Sequence, residues 1–250
     1  MTLRNNPTFE AIRKRHAARH FSSREIADSV IIELLELANR APSGFNLQPW
    51  HFVLVKNPDL RKLLMHVALD QPQVGEAPMT VAFVADPRAW RNSYERVLTL
   101  GLETKRMTER HAAFNRRMVK LLFKTGPLGI YGLGKKITVP IRRLFRPTPT
   151  VITSPQEAAH YVRSHTMLAA MNFMIAAKSI GLDTSPMEGF DEERLKKLLA
   201  IPASMTVPVI ISIGYPLDDE TPPPSVRLPL EEKLSLDLFP NRVKKGPKRS

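Results

Sequence analysis

An α+β fold, one compact domain in which helices alternate with short buried strands, is predicted by three features of the sequence. Three short runs, HFVLV at 51–55, MTVAFVA at 79–85 and VPVIISI at 207–213, are apolar and rich in β-branched residues, the pattern of interior strands. A segment at 155–180 carries strong helix signals, and its middle, MLAAMNFMIAA, is apolar nearly all round. A helix without a polar side has to be enclosed, by the core of its own chain or by a second subunit. No internal repeat is present, and 250 residues suit one embellished domain better than two, since domains run to about 100–200 residues.

Taken in order, residues 7–20 read as a helix with a basic end. A second helix follows at 26–40, where Ile26, Val30, Ile31, Leu34, Leu35 and Leu37 recur at helical spacing. The turn APSGFNLQP breaks it ahead of the first strand, and Asn57 with Pro58 opens another helix through Leu64. The long helix has Ser154 as N-cap, Pro155 in its first turn, Glu157 completing a capping box and Gly181 as its stop. Asp191 caps a short helix through Ala200, and the last strand ends at Gly214, Tyr215 and Pro216. The proline-rich TPPPSVRLPLEEKL beyond it is too poor in apolar periodicity for core and reads as an extended arm. The expected organisation is a single domain over 1–250, with a basic insertion at about 88–150 and a flexible basic tail at about 241–250.

Hydrophobic residues make up 43% and charged residues 24%, and no run approaches the roughly 20 apolar residues that span a bilayer, so a soluble protein is expected. The absence of cysteine excludes disulfides and thiolate metal ligands, and the start MTLRNNPTFE lacks a secretory signal, which makes a cytoplasmic location the default. A net charge of +13 suggests an acidic partner: a phosphorylated cofactor, an anionic lipid surface or nucleic acid. Much of that charge lies between Arg88 and Arg146 and in the tail KKGPKRS.

There is no Walker or dinucleotide-type glycine motif, no HExxH and no nucleophile elbow, which argues against hydrolases and metalloenzymes. His16 and His20 stand at i, i+4 spacing without a third ligand nearby, so no metal site is expected. Arg13, Lys14, Arg15, His16, Arg19 and His20 form a basic cluster, ordinarily a solvated face; the sharper reading is a phosphate site, because arginine grips phosphate through two parallel hydrogen bonds. The turn at 41–50 packs a hydroxyl and two amides between prolines. It is either a plain helix-to-strand connection or a set of donors and acceptors for the edge of a heteroaromatic ring.

Four segments in order, RHAARHF at 15–21, APSGFNLQPWHFVLV at 41–55, GLDTSPMEGFD at 181–191 and VRLP at 226–229, resemble the successive signatures of the FMN-dependent nitroreductase family. The likeness covers most of 8–87 and 154–235 and leaves the basic middle uncovered. It implies a nitroreductase-like α+β fold: a central antiparallel sheet flanked by helices, a long central helix and an extended C-terminal arm, in a domain-entwined homodimer with one FMN at each of two interface sites. It places Arg15, His16 and Arg19 on the flavin phosphate, with Arg19 reaching toward the pyrimidine edge and the backbone of Ala17 against the cofactor. The family commonly has serine at that last position. Pro42, Ser43, Asn46 and Gln48 match the turn that reaches FMN across the dimer interface, and Gln71 is placed like an amide that reads the pyrimidine. Glu188 and Gly189 correspond to a loop whose backbone N–H points at flavin N5. Arg227 corresponds to a C-terminal phosphate ligand, with Ser225 where a second basic residue often stands.

The implied reaction is ping-pong: NADH or NADPH passes hydride to flavin N5, and an electron-poor acceptor such as a nitroaromatic or quinone then takes it. The flavin carries that chemistry, so no catalytic side chain is implied. The same fold hosts reductive dehalogenation and dehydrogenation, and a flavin-binding protein without turnover is a rival of another class. The partners implied are a second copy of the chain and a small-molecule acceptor. Nucleic acid is not expected, because no recognition fold accompanies the charge. The insertion has three readings: a substrate lid or dimer-wrapping helix, a surface embellishment, or a segment in weak contact with an anionic membrane.

Overall fold

A computed structural model describes residues 6–126, 130–149, 151–217 and 225–239. The chain divides into two units, Met1–Glu220 and Thr221–Ser250. In the first, α1 (Pro7–Lys14) and α2 (Asp28–Ala38) lead to β1 (Trp50–Val55), α3 (Pro58–Val67), α4 (Pro72–Glu76) and β2 (Met79–Ala85). Four helices follow, α5 (Ala89–Asn92), α6 (Tyr94–Glu103), α7 (Glu109–Phe123) and α8 (Ile130–Phe145). Then come α9 (Pro155–Ser179), β3 (Asp183–Met187), α10 (Glu192–Leu198) and β4 (Thr206–Gly214). In the second unit the described residues hold one short 3-10 turn, Leu230–Glu232, among exposed side chains. The basic tail expected at 241–250 lies outside the described residues.

The strands form one antiparallel sheet in the order β1-β2-β4-β3. Every residue of β2 is buried, and alternation sends its side chains to two cores. Val81 and Phe83 join Ile211 and Phe173 on the α2 and α9 face, where Phe83 meets Phe173 and Phe52 edge-on at 5.6 and 5.2 Å. Ala82 and Val84 join Ile210, Leu64 and Leu195 on the α3 and α10 face. Thr80 and Ser212, fully buried on the two central strands, satisfy each other's hydroxyls at 2.9 Å.

Three elements differ from the sequence reading. Helix α1 ends at Lys14 and residues 15–20 leave the helix, because the Ala18 N–H donates to the Thr184 carbonyl at 3.0 Å and Ala17 pairs in parallel with Thr184. Strand β3 was not anticipated: DTSPM is polar and contains proline, and it becomes a strand by pairing with β4. The Glu157 carboxylate reaches past the N-cap to accept from the N–H and hydroxyl of Thr153, which holds its carboxyl below the usual range.

Enclosure of α9 is also incomplete within one chain. Its buried side, Ala169, Ala170, Phe173 and Ala177, lies on the sheet and α2, while Leu168 and Met171 on the opposite side are 45% and 37% exposed. Much of the insertion is core. Tyr94, Leu98, Ala112, Val119 and Phe123 bury themselves against Ala158 and Val162 of α9, with Phe123 edge-on to Tyr161 at 5.3 Å. Helix α8 is attached differently, by Gly132 and by Lys135, whose ammonium donates to the carbonyls of Leu122 and Ile152 at 2.9 Å each. Burial holds that ammonium below the ordinary lysine range, opposed by the Glu157 carboxylate.

Enclosure of the insertion is testable through Tyr94, whose phenol is pushed up to about 12 by burial and by the neighbouring Glu95 carboxylate. Because the folded value lies above the unfolded value near 10, its contribution to stability is complete below about pH 10 and is lost as the pH rises toward 12. A spectrophotometric titration is expected to show one of the four tyrosines ionising last, together with loss of secondary structure. Ionisation of all four together near pH 10 would mean that α6 does not enclose the ring.

Candidate functional site

The sequence-predicted residues fall into two groups, each built by backbone pairing. The first follows β3. Pairing of Ala17 with Thr184 lays residues 15–20 along this edge strand, and the anchor is electrostatic. The buried Asp183 carboxylate accepts from the Lys178 ammonium at 2.5 Å and stands 3.6 Å from His16 Nε2. His20 at the far end meets Glu76 of α4 at 3.1 Å, so the two histidines face different carboxylates. Among the described residues Lys14 is paired with Glu10, and Arg15 and Arg19 enter no ion pair. Arg15 Nε is buried without a hydrogen-bond partner among the described residues, and Arg19 is exposed.

Gln71 closes this group from the other side. Its amide donates to the Ala68 carbonyl at 3.0 Å and to the Gly189 carbonyl at 2.9 Å, while its oxygen accepts from Gln73 at 3.1 Å. Both N–H groups are therefore spent on holding the backbone, and the side chain ties α4 to the loop after β3. Glu188 and Gly189 are exposed at that loop, and the Gly189 N–H donates to no group among the described residues.

The second group is the turn between α2 and β1. Ser43 Oγ accepts from the Gln48 N–H at 2.9 Å, and the Gln48 side chain folds back toward the Asn46 carbonyl at 3.4 Å. Pro42 and the Asn46 amide are exposed. The turn is cramped: a Cβ on Gly44 would lie 2.0 Å from the Tyr161 hydroxyl, so glycine is required by close approach. Phe45 accepts at its carbonyl from the Tyr94 hydroxyl at 3.2 Å, which fastens the insertion to the turn.

Backbone strain marks both groups. Of eight non-glycine residues with positive φ among the described residues, Phe45, Asn46 and Gln48 sit in the turn and Leu69 and Asp70 directly precede Gln71. Left-handed backbone costs an L-residue roughly 1–3 kcal/mol and persists where the surroundings over-determine it, which is common at ligand sites. No local sequence signal marks Phe45 or Leu69 for it.

The two groups do not meet within one chain. The turn leads into β1 and the basic run follows β3, at opposite edges of the sheet, so three strand spacings of about 4.8 Å lie between them. Arg227 and Ser225 belong to the second unit, where the Arg227 guanidinium donates to the Val226 carbonyl at 2.8 Å.

Sequence reasoning also missed a cavity of about 570 Å³ between α7 and the first half of α9. Leu121, Leu122 and Ile152 line it with Phe45, His160 and Tyr161, within the size range of small-molecule sites. Burial raises the Tyr161 phenol above its ordinary range. The signal was readable only as residues at helical spacing on α9, with nothing to show what they face.

Replacing Asp183 by asparagine removes the charge that both Lys178 and His16 address. A loss of about 1.5–3 kcal/mol is expected, the scale of hydrogen bonds to charged groups. Urea unfolding measures it, and an unchanged midpoint would show that the Asp183 anchor contributes nothing.

A family model described as "Nitroreductase family" matches residues 12–215. Over 218 residues the chain is 28% identical to a protein of Thermus thermophilus named NADH dehydrogenase, covering 87% of this chain and 90% of that one. A nitroreductase-like protein of Streptococcus mutans superposes with a TM-score of 0.71 at 24% identity, covering 91% and 97% of the two chains. A protein of Exiguobacterium sibiricum, crystallised in complex with FMN, superposes with a TM-score of 0.69 at 20% identity, covering 94% and 99%. With the family match running through both groups of site residues and all four strands, this chain belongs to the nitroreductase family.

Proposed function

We propose that the chain is an FMN-dependent oxidoreductase that draws electrons from NADH or NADPH and delivers them to an electron-poor acceptor such as a nitroaromatic or a quinone, working as a homodimer. The pairing of Ala17 with Thr184 carries this reading, because it gathers Arg15, Arg19, Gln71 and Gly189 at one sheet edge. The donor set suits FMN. Arg15 offers a buried Nε without a partner among the described residues, and a planar guanidinium fork matches a phosphate dianion. The FMN complex of the Exiguobacterium relative and the name of the Thermus relative support the cofactor and the donor.

Bound FMN supplies the redox chemistry, and the chain supplies position and field. Arg15, with His16 beside it, would hold the phosphate, and the Arg19 cation would stabilise negative charge on the reduced ring. Gln71 holds the Gly189 carbonyl, and the Gly189 N–H, which donates to no group among the described residues, would face the ring. Pro42, Ser43, Asn46 and Gln48 stand at the far edge of the sheet, so completing the site from both groups calls for a second copy. The uncovered side of α9, with Leu168 and Met171, and exposed Ile32 and Leu37 of α2 are the apolar surface on which such a copy would dock. The apolar cavity beside Phe45 and Tyr161 has the size and lining to admit an aromatic acceptor.

Anaerobic mixing of the FMN-loaded protein with NADH or NADPH is expected to bleach the flavin absorbance, and a nitroaromatic or quinone to restore it. Failure to bleach with either donor would leave a flavin-binding protein without turnover. In the loaded R19A variant the flavin reduction potential is expected to fall, and an unchanged potential would remove Arg19 from the electrostatic role.

A further inference from the structure

Helix α8 is amphipathic in the reverse sense. At about 100° per residue, Ile130, Leu133, Ile137, Ile141, Leu144 and Phe145 fall within an arc of about 120°. That arc faces outward: Leu133 is 63% exposed, Leu144 81% and Phe145 83%. The side toward the protein is held by small and polar means. Gly132 packs so closely that a Cβ would lie 2.0 Å from the Thr153 carbonyl oxygen, and the Lys135 ammonium is stapled to the carbonyls of Leu122 and Ile152. A surface helix normally turns its apolar stripe inward, so the anchoring of this one keeps the stripe available.

The charge around the stripe identifies what it meets. Exposed Lys136 and Arg143 lie on one side of it and Arg142 on the other, with Arg146 just beyond. From Arg110 to Gln156 the sequence holds ten Lys and Arg and no carboxylate. A second copy docking through the same face would set these cations against each other, since a two-fold interface pairs a patch with itself. An anionic bilayer offers hydrocarbon for the stripe and phosphates for the flanking cations. With 16 residues α8 is about 24 Å long, shorter than the roughly 30 Å hydrocarbon core, and among the described residues no helix is long and apolar enough to cross a membrane. We propose that α8 lies in the interface of an anionic phospholipid leaflet and seats the protein on the membrane surface. The staple attaches it to Leu122 and Ile152, which line the apolar cavity, so the cavity wall is held beside the bilayer.

The test is co-sedimentation of the full chain with phosphatidylcholine vesicles, with and without phosphatidylglycerol, at low and moderate salt. Binding is expected only with the anionic vesicles and is expected to weaken as salt rises. Neutralising Arg142 and Arg143 with glutamine should weaken it roughly fivefold per cation. Placing aspartate at Ile137 and Leu144 should abolish it with the thermal melt unchanged, both side chains being exposed. Because the chain has no cysteine, a polarity-sensitive dye on Leu144→Cys reports the stripe independently of those variants. Its emission should shift to the blue with anionic vesicles, while the same dye on Glu33→Cys of α2 should not. Absence of vesicle binding, binding that survives the aspartate pair, or a stripe variant that changes only the oligomeric state would overturn the proposal. None of these readouts uses flavin or electron donor, so failure here is distinct from failure of the proposed activity.

Discussion

The core on the α2 face of the sheet is arranged around α9, whose apolar middle cannot stay in water. The sheet and α2 cover one side, and the insertion helices α5 to α7 cover its first half through Phe123 and Val162. Leu168 and Met171 remain open. Fully burying a large apolar side chain contributes about 1.5–3 kcal/mol, so this open strip favours association with another apolar surface. That open strip is where the proposed second copy would pack.

The site follows from the same geometry. A four-stranded sheet has two edges, and each carries one group of candidate site residues, held by a different device. At β3 it is main-chain pairing with the 15–20 run, reinforced by Asp183 between Lys178 and His16. At β1 it is a turn with left-handed backbone at Phe45, Asn46 and Gln48, tied by the Ser43 hydrogen bond and packed under Tyr161 at Gly44. Neither device needs the other, and both groups stay at the surface, which is the arrangement a site shared between subunits requires.

Much of this was legible in the sequence, for identifiable reasons. Strands β1, β2 and β4 announce themselves because buried strands need continuous β-branched and aromatic residues, and α9 because its cap, proline and stop coincide. Strand β3 is silent because its polar residues bind other elements: Asp183 holds Lys178, and Thr184 pairs with Ala17. The end of α1 misleads for the related reason that RHAARH has good helix formers, whose propensity is overridden by pairing with β3. The insertion is hardest to read. Its composition is basic and apolar throughout, yet α7 turns its apolar face inward and α8 outward, a difference decided by Gly132 and Lys135. The sequence places Gln71 like a ligand-reading amide, and in the structure its N–H groups go to the Ala68 and Gly189 carbonyls.

In the proposed dimer a complete flavin site takes the 15–20 run from one chain and the 42–48 turn from another. Subunit complementation separates this arrangement from a site within one chain. One variant carries R15Q and R19Q, a second carries N46A with G44V, and each alone should bind FMN poorly. Co-refolding the two is expected to restore tight FMN binding at about a quarter of the sites, because half of randomly paired dimers contain one intact site of two. A mixture that binds no more FMN than the separate variants would place the whole site within one chain.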